Sequence, residues 1–222
     1  MKKTMSYPPI LTLLGHLFMI AYGIYCIWDR RPGEVFGLVC GVLLLAFTVP
    51  YAVICFRWFV WDNGSFVIYR LFRPTLRIPL ADVADLREDS GGVGKSYYRC
   101  FRILRQGDKK YIDASGGTLT GASLEKVLAL PSVKTEFENR LRSGVSFRIG
   151  SRDLRLEGDT LYVKDGSIHP EMSAPISSMR LSYPSFGEQF LHYDSLNSLS
   201  LGNKWRRSIW QALLLELPFP RQ

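Results

Sequence analysis

Ile10–Trp28 (ILTLLGHLFMIAYGIYCIW) and residues 35–56 (VFGLVCGVLLLAFTVPYAVICF) are apolar runs of 19 and 22 residues without a formal charge, and their reading decides the fold. As helices rising about 1.5 Å per residue, each is long enough to cross roughly 30 Å of hydrocarbon. Between them Asp29-Arg30-Arg31-Pro32-Gly33-Glu34 is polar and leaves room only for a turn between antiparallel helices. The expectation is a two-helix transmembrane hairpin over residues 1–56, with helices at about 10–28 and 35–56.

The flanks agree with that reading. Trp28 ends the first run, and Trp58 and Trp61 follow the second, the positions at which amphipathic rings anchor in headgroup layers. The first run ends in bulky Tyr25-Cys26-Ile27-Trp28, not in the small residues of a signal-peptide cleavage site, so the helix is expected to stay. Lys2, Lys3 and Arg57 on one side outnumber Arg30 and Arg31 on the other, which places both termini in the cytoplasm. Gly37 and Gly41 form a GxxxG face for close helix packing. The first helix is its default partner, and homo- or hetero-oligomers through the helices are left open. His16 is an ionisable group within a span, read as neutral and bonded to a neighbouring carbonyl. Cys26, Cys40 and Cys55 lie in the apolar runs and Cys100 stands alone, without CxxC spacing, so neither a disulfide framework nor a metal site is expected.

Beyond residue 56 the chain carries 24 Lys and Arg against 18 Asp and Glu, a net +6 suited to a surface near anionic headgroups. No zinc-finger, basic-helix or helix-turn-helix pattern accompanies this charge, so nucleic acid is not expected. Residues 58–62 and 65–72 read as strands about an Asn63-Gly64 turn, and residues 76–86 as a third. No linker separates Phe56 from Arg57, so the second helix should set where this turn and its neighbouring arginines lie. Residues 96–106 and 109–114 read as two further strands. Leu124, Val127 and Leu128, then Val133, Phe137 and Leu141, fall at helical spacing, with Pro131 between them and Gly144 after. Residues 57–143 thus read as one β module with a closing helix. From residue 144 a second pass begins. Phe147 and Ile149 alternate, strands flank Gly158-Asp159, and a helix is expected over 204–217 with Asn203 as N-cap and Pro218 as stop.

This order of strand, Asn-Gly or Gly-Asp turn, strand, and an IPL-x-D-V segment (Ile78-Pro79-Leu80-Ala81-Asp82-Val83), then further strands and a closing helix, resembles the bacterial pleckstrin-homology-like domains found beside transmembrane hairpins. The resemblance covers residues 57–142 and, more weakly, 145–217, where Ala174-Pro175-Ile176 replaces Ile-Pro-Leu. It implies a membrane-anchored α+β protein: a transmembrane hairpin followed by antiparallel β-rich modules, each closed by a C-terminal helix, in the bacterial inner membrane. It implies binding or scaffolding toward membrane lipid or a protein partner, with no catalytic residues and no cofactor. Eukaryotic relatives hold inositol phosphates with basic side chains near the first hairpins. Arg70, Arg73 and Arg77 occupy a comparable stretch and, with Arg57 at the helix exit, are the candidate headgroup or partner contacts; the alternative is ordinary solvated arginines.

Gly91-Gly92-Val93-Gly94-Lys95-Ser96 looks like the deviant phosphate loop of ParA- and MinD-type ATPases. That chemistry needs a buried parallel strand before the loop and a helix after it. Residues 84–90 are too charged for such a strand, and Tyr97-Tyr98-Arg99-Cys100-Phe101 suits a strand where the helix should start, so the string reads as an inter-strand loop. His169 and His192 stand apart, and Asp194-Ser195 beside His192 is adjacency without an orienting partner. The leading expectation is a non-enzymatic, membrane-anchored binding or scaffold protein. The alternatives are an accessory or assembly subunit of a larger inner-membrane complex and, behind it, a nucleotide-binding protein using residues 91–96.

Overall fold

The computed structural model describes residues 2–6, 10–29, 35–93, 96–115, 123–165, 170–182, 188–192, 198–203 and 206–218. The architecture is α+β with several antiparallel sheets. A short strand that the sequence did not suggest, β1 (Lys2–Thr4), precedes two long helices, α1 (Ile10–Trp28) and α2 (Val35–Cys55). The helices pack antiparallel: His16 stacks on Tyr51, Gly23 faces Leu44 and Leu45, and Gly37 and Gly41 face Cys26 and Ile27. Among the described residues, Val35–Val53 is long and apolar enough to cross a membrane, and Leu13–Trp28 within α1 is a shorter apolar stretch. The connection at 30–34, with Arg30 and Arg31, lies outside the described residues.

Helix passes into strand without slack. The Phe56 amide still bonds the Ala52 carbonyl at 2.9 Å, and β2 (Arg57–Asp62) starts at the next residue. Asn63 and Gly64 take φ of 44° and 77°, the mirror-image turn that this residue pair favours, and return the chain as β3 (Ser65–Arg70). A second two-residue turn, Leu71-Phe72, leads into β4 (Arg73–Pro79). There Phe72 holds φ of 55°. For a bulky side chain that conformation costs on the order of 1 kcal/mol or more.

The expected third strand over 76–86 is divided. A 3-10 turn (Leu80–Asp82) follows Pro79 and redirects the chain into β5 (Val83–Val93), which is followed by β6 (Ser96–Arg105) and β7 (Ile112–Asp113). Next come α3 (Leu124–Leu128), capped by the Ser123 hydroxyl, and α4 (Pro131–Arg142), with Pro131 at its first turn, where a missing amide costs nothing. The rest comprises β8 (Phe147–Ile149), β9 (Arg152–Glu157), β10 (Thr160–Asp165), β11 (Met172–Pro175), a 3-10 turn (Ile176–Ser178), β12 (Arg180–Ser182), β13 (Glu188–His192), β14 (Ser198–Asn203), β15 (Arg206–Ser208) and α5 (Ile209–Leu215). The last helix starts later than expected. Asn203 ends β14, Arg206–Ser208 pair with β5, and Ser208 caps α5 by accepting from the Gln211 amide.

The strand orders are β1-β2-β3-β4, β11-β10-β9-β8, β12-β13-β14 and β15-β5-β6-β7. Two compact units form, and neither is continuous in sequence. One comprises Met1–Asp82, Gly91–Arg102 and Lys110–Ala122, with a core built on Phe59, Phe66, Ile68, Ile78 and Phe101, in which the Phe59 and Phe101 rings stack at 4.9 Å. The other comprises Val83–Ser90, Ile103–Lys109 and Ser123–Gln222. Its core gathers on Trp210, which stacks on Phe147 at 5.0 Å, meets Phe137 edge-on and donates its indole N–H to the Ala84 carbonyl.

The helix pair is tightest at Gly41, where an added Cβ would lie 2.7 Å from both the Gly23 carbonyl oxygen and Ile27 Cγ1. Gly41→Leu should therefore lower the thermal unfolding temperature in detergent micelles, followed by circular dichroism, with a cost of about 1–3 kcal/mol typical of overpacking. Gly15→Ala, at a position where a Cβ meets nothing within 4 Å, should not lower it.

Candidate functional site

Arg57 is the first residue after α2, and three consecutive strands bring arginines together beside it. Arg57 lies opposite Arg70 across β2 and β3, and Arg70 lies opposite Arg73 across the Leu71-Phe72 turn. Like charges in directly opposed positions destabilise a sheet unless an anion intervenes. Arg57 has one: its guanidinium meets Asp113 on β7 at 3.1 Å, and Arg102 meets the other oxygen of that carboxylate at 2.9 Å. Arg70 instead donates to the Pro74 carbonyl at 2.8 Å while its buried Nε has no partner. Among the described residues neither Arg70 nor Arg73 has a carboxylate partner. Arg77 stands apart from this row, paired at 2.8 Å with Asp62 at the end of β2 remote from the helix.

An aromatic ladder runs beside the row. Phe56 meets Trp58 edge-on at 5.2 Å, and Trp58 stacks on Tyr69 at 4.9 Å. The Lys2 ammonium lies 3.4 Å from the Tyr69 hydroxyl and 5.7 Å from its ring centroid. Trp58 is half-buried at this helix-proximal end, and Trp28 is exposed at the end of α1. Trp61, expected as an anchor from its nearness to the helix, instead lies in the sheet core, 7% exposed and edge-on to Phe66. The reason is the two-residue period of a strand, which sends Trp58 and Trp61 to opposite faces. Asn63-Gly64 is likewise at the far end of β2, roughly 20 Å from the helix exit at about 3.3 Å per residue. The turn that returns to the exit is Leu71-Phe72, whose Leu71 amide bonds the Phe56 carbonyl at 3.3 Å.

Sequence reasoning missed the groups that hold this arrangement together. Asp113 is a lone acid on a two-residue strand, 56 positions from Arg57, and only pairing reveals it. Ser6 is fully buried, its Oγ accepting from the Phe59 amide at 2.8 Å while the Met5 and Ser6 amides bond the Phe59 carbonyl. Gly23 supplies the close approach to Gly41 from the α1 side.

The remaining candidates resolve as follows. Gly37 and Gly41 face α1 within the chain. Gly91–Val93 belong to β5 and Ser96 opens β6, so strand follows where phosphate binding needs a helix N-terminus; Gly94 and Lys95 lie outside the described residues. His192 Nε2 lies 2.8 Å from Ser182 Oγ on the neighbouring strand, while His169, Asp194 and Ser195 lie outside the described residues. Among the described residues no group of three or more His, Cys, Asp or Glu could hold a metal. The class defined by these features is an α+β protein with an apolar helical hairpin and an arginine row at its exit. No protein-family model, curated protein or solved structure matches the chain.

Cys100 sits against Asp113, its thiol 3.2 Å from the Ser115 carbonyl. Burial first, and then the Asp113 charge, push this thiol up to about 11. At pH 8 its alkylation by iodoacetamide should therefore be slower than that of a free thiol by on the order of a hundredfold until urea unfolds the chain, as mass spectrometry of the labelled peptide would read. Asp113→Asn, which removes the carboxylate charge shared by Arg57 and Arg102, should lower the urea midpoint, equivalent to about 1–2 kcal/mol.

Proposed function

We propose that the chain is a non-catalytic, membrane-anchored binding or scaffold protein. Its α1–α2 hairpin lies in the bacterial inner membrane, and its β-rich modules meet a protein partner or the lipid surface on the cytoplasmic side. The observation that carries this reading is the outer surface of the helix pair. Phe18, Phe36 and Phe47 are 71%, 82% and 74% exposed, the reverse of a core helix. Leaving such apolar surface in water forfeits roughly 25 cal/mol per Å², and lipid removes that cost.

The clasp at Ser6 supports placing both flanks on one side. Because residues 5 and 6 bond Phe59, the chain enters α1 and leaves α2 at the same end of the antiparallel pair. Two crossings then leave both flanks on one side, and the side with Lys2, Lys3 and Arg57 is assigned to the cytoplasm. The row of Arg57, Arg70 and Arg73 falls at headgroup level in this arrangement, with Trp58 and Tyr69 beside it.

The pleckstrin-homology-like and tandem readings draw support from local geometry that recurs in the two passes. The Leu80 amide bonds the Gly64 carbonyl at 2.9 Å, and the Ile176 amide bonds the Asp159 carbonyl at 2.8 Å, in each case just after a proline that ends the fourth strand. Ser65 faces Pro79 as Thr160 faces Pro175, and the residues after the two 3-10 turns, Val83 and Met179, are both fully buried.

The test uses the full chain with epitope tags at both ends, expressed in a bacterium. The protein should stay in the membrane pellet after alkaline carbonate washing, and protease should reach both tags in inverted membrane vesicles but neither in intact spheroplasts. Release by carbonate, or tags on opposite sides, would sink the reading.

A further inference from the structure

We propose that the Leu71-Phe72 turn is a second membrane contact: an aromatic wedge that enters the boundary between headgroups and acyl chains beside α2, with Arg70 and Arg73 against anionic lipid phosphates. The inference rests on the reading that α2 lies in a bilayer. Its occupant is the surface of an anionic membrane, and four observations select it.

The first is position. β3 runs opposite to β2, which leaves the helix, so the turn that follows β3 comes back to the helix exit, where Leu71 donates to the Phe56 carbonyl. The second is exposure. Outside α1 and α2, the exposed large apolar side chains among the described residues are Phe72 at 86% and Val145 at 43%, so Phe72 presents an uncovered aromatic ring on a turn whose preceding residue bonds the helix exit.

The third is conformation. Phe72 occupies a left-handed position, φ 55°, which turns normally give to Gly or Asn, and its 86% exposed ring makes no ring contact among the described residues that would offset that strain. An aromatic ring at the interfacial depth of a bilayer does find a favourable environment. The fourth is charge. Arg70 and Arg73 bracket the ring as an opposed pair without a carboxylate among the described residues, whereas Arg57 in the same row is met by Asp113. Lipid phosphates supply to that pair what Asp113 supplies to Arg57. Pro74, next to Arg73, removes a backbone donor from edge strand β4, so strand addition by a protein partner is disfavoured there.

The experiment measures depth. Full-length protein with Cys26, Cys40, Cys55 and Cys100 replaced by alanine, and of unchanged circular dichroism, receives one nitroxide label through Phe72→Cys, Asn63→Cys or Val42→Cys. Each variant is placed in nanodiscs of mixed phosphatidylethanolamine and phosphatidylglycerol. Collision with oxygen is then compared with collision with a water-soluble nickel chelate. The label at position 72 should favour oxygen, as the label at position 42 on α2 does, and the label at position 63 should favour the chelate. Adding Arg70→Gln and Arg73→Gln should move the label at position 72 toward water; an unchanged depth would remove the arginines from the proposal. If the label at position 72 is as aqueous as that at 63 while 42 lies in hydrocarbon, the wedge is wrong and the anchor stands. If 42 is also aqueous, both fail together.

Discussion

Three hydrogen bonds between residues 5–6 and Phe59 hold the first unit in its arrangement. The Met5 and Ser6 amides bond the Phe59 carbonyl at 3.3 and 3.1 Å, and the Phe59 amide donates to Ser6 Oγ at 2.8 Å, all at a point where Ser6 and Phe59 are fully buried. They join β1 to β2 across more than fifty residues of helix and turn. The helix pair is thus an excursion from one sheet, leaving at β1 and rejoining at β2. Removing a partner from such a buried backbone group exposes the full desolvation cost of the other, about 1–3 kcal/mol.

From the clasp the electrostatics follow by connectivity. The continuous passage from α2 into β2 puts Arg57 at the helix exit, and the β2–β3 register puts Arg70 opposite it. Without an anion this would be a repulsive pair in a half-buried setting. Asp113 answers for Arg57 and simultaneously for Arg102, so one carboxylate from β7 ties the helix exit to the middle of β6. That bracing leaves the charge of Arg70 and Arg73 available on the side of the turn. Arg77 belongs to a different balance, because it lies four residues further along β4 than Arg73, toward Asp62 and away from the helix.

Legibility divides along the same physical line, between what a segment dictates alone and what a distant partner decides. The apolar runs, the Asn63-Gly64 turn with both residues at positive φ, and the helical spacing of Val133, Phe137 and Leu141 in α4 are local choices, and each was visible in the residues. β1 was not, because Lys2-Lys3-Thr4 has neither alternation nor β-forming bulk and becomes a strand only when β2 lies alongside. The start of α5 was misplaced for a related reason. Residues 204–208 fit a helical stripe, yet Arg207 stands opposite Glu88 on β5, and pairing of opposite charge across strands prevails over period. The arginine cluster was legible as composition, but its division into a row of three and a separate Arg77–Asp62 pair depends on register.

Two of the four-stranded sheets make the role of the helices clearer. β1-β2-β3-β4 and β8-β9-β10-β11 have the same order, and in both the first strand runs antiparallel beside the second. In the later sheet the connection between those two strands is a Gly150-Ser151 turn, with Gly150 at φ 63°; in the earlier one it is the helix pair. A hairpin whose ends must meet at hydrogen-bonding distance can replace a two-residue turn without disturbing the sheet, provided its helices are antiparallel and closely packed. The glycine contacts between α1 and α2 satisfy that condition. The helix pair that occupies this connection also determines which end of that sheet lies next to it, and that end carries Arg57, Arg70, Phe72 and Arg73.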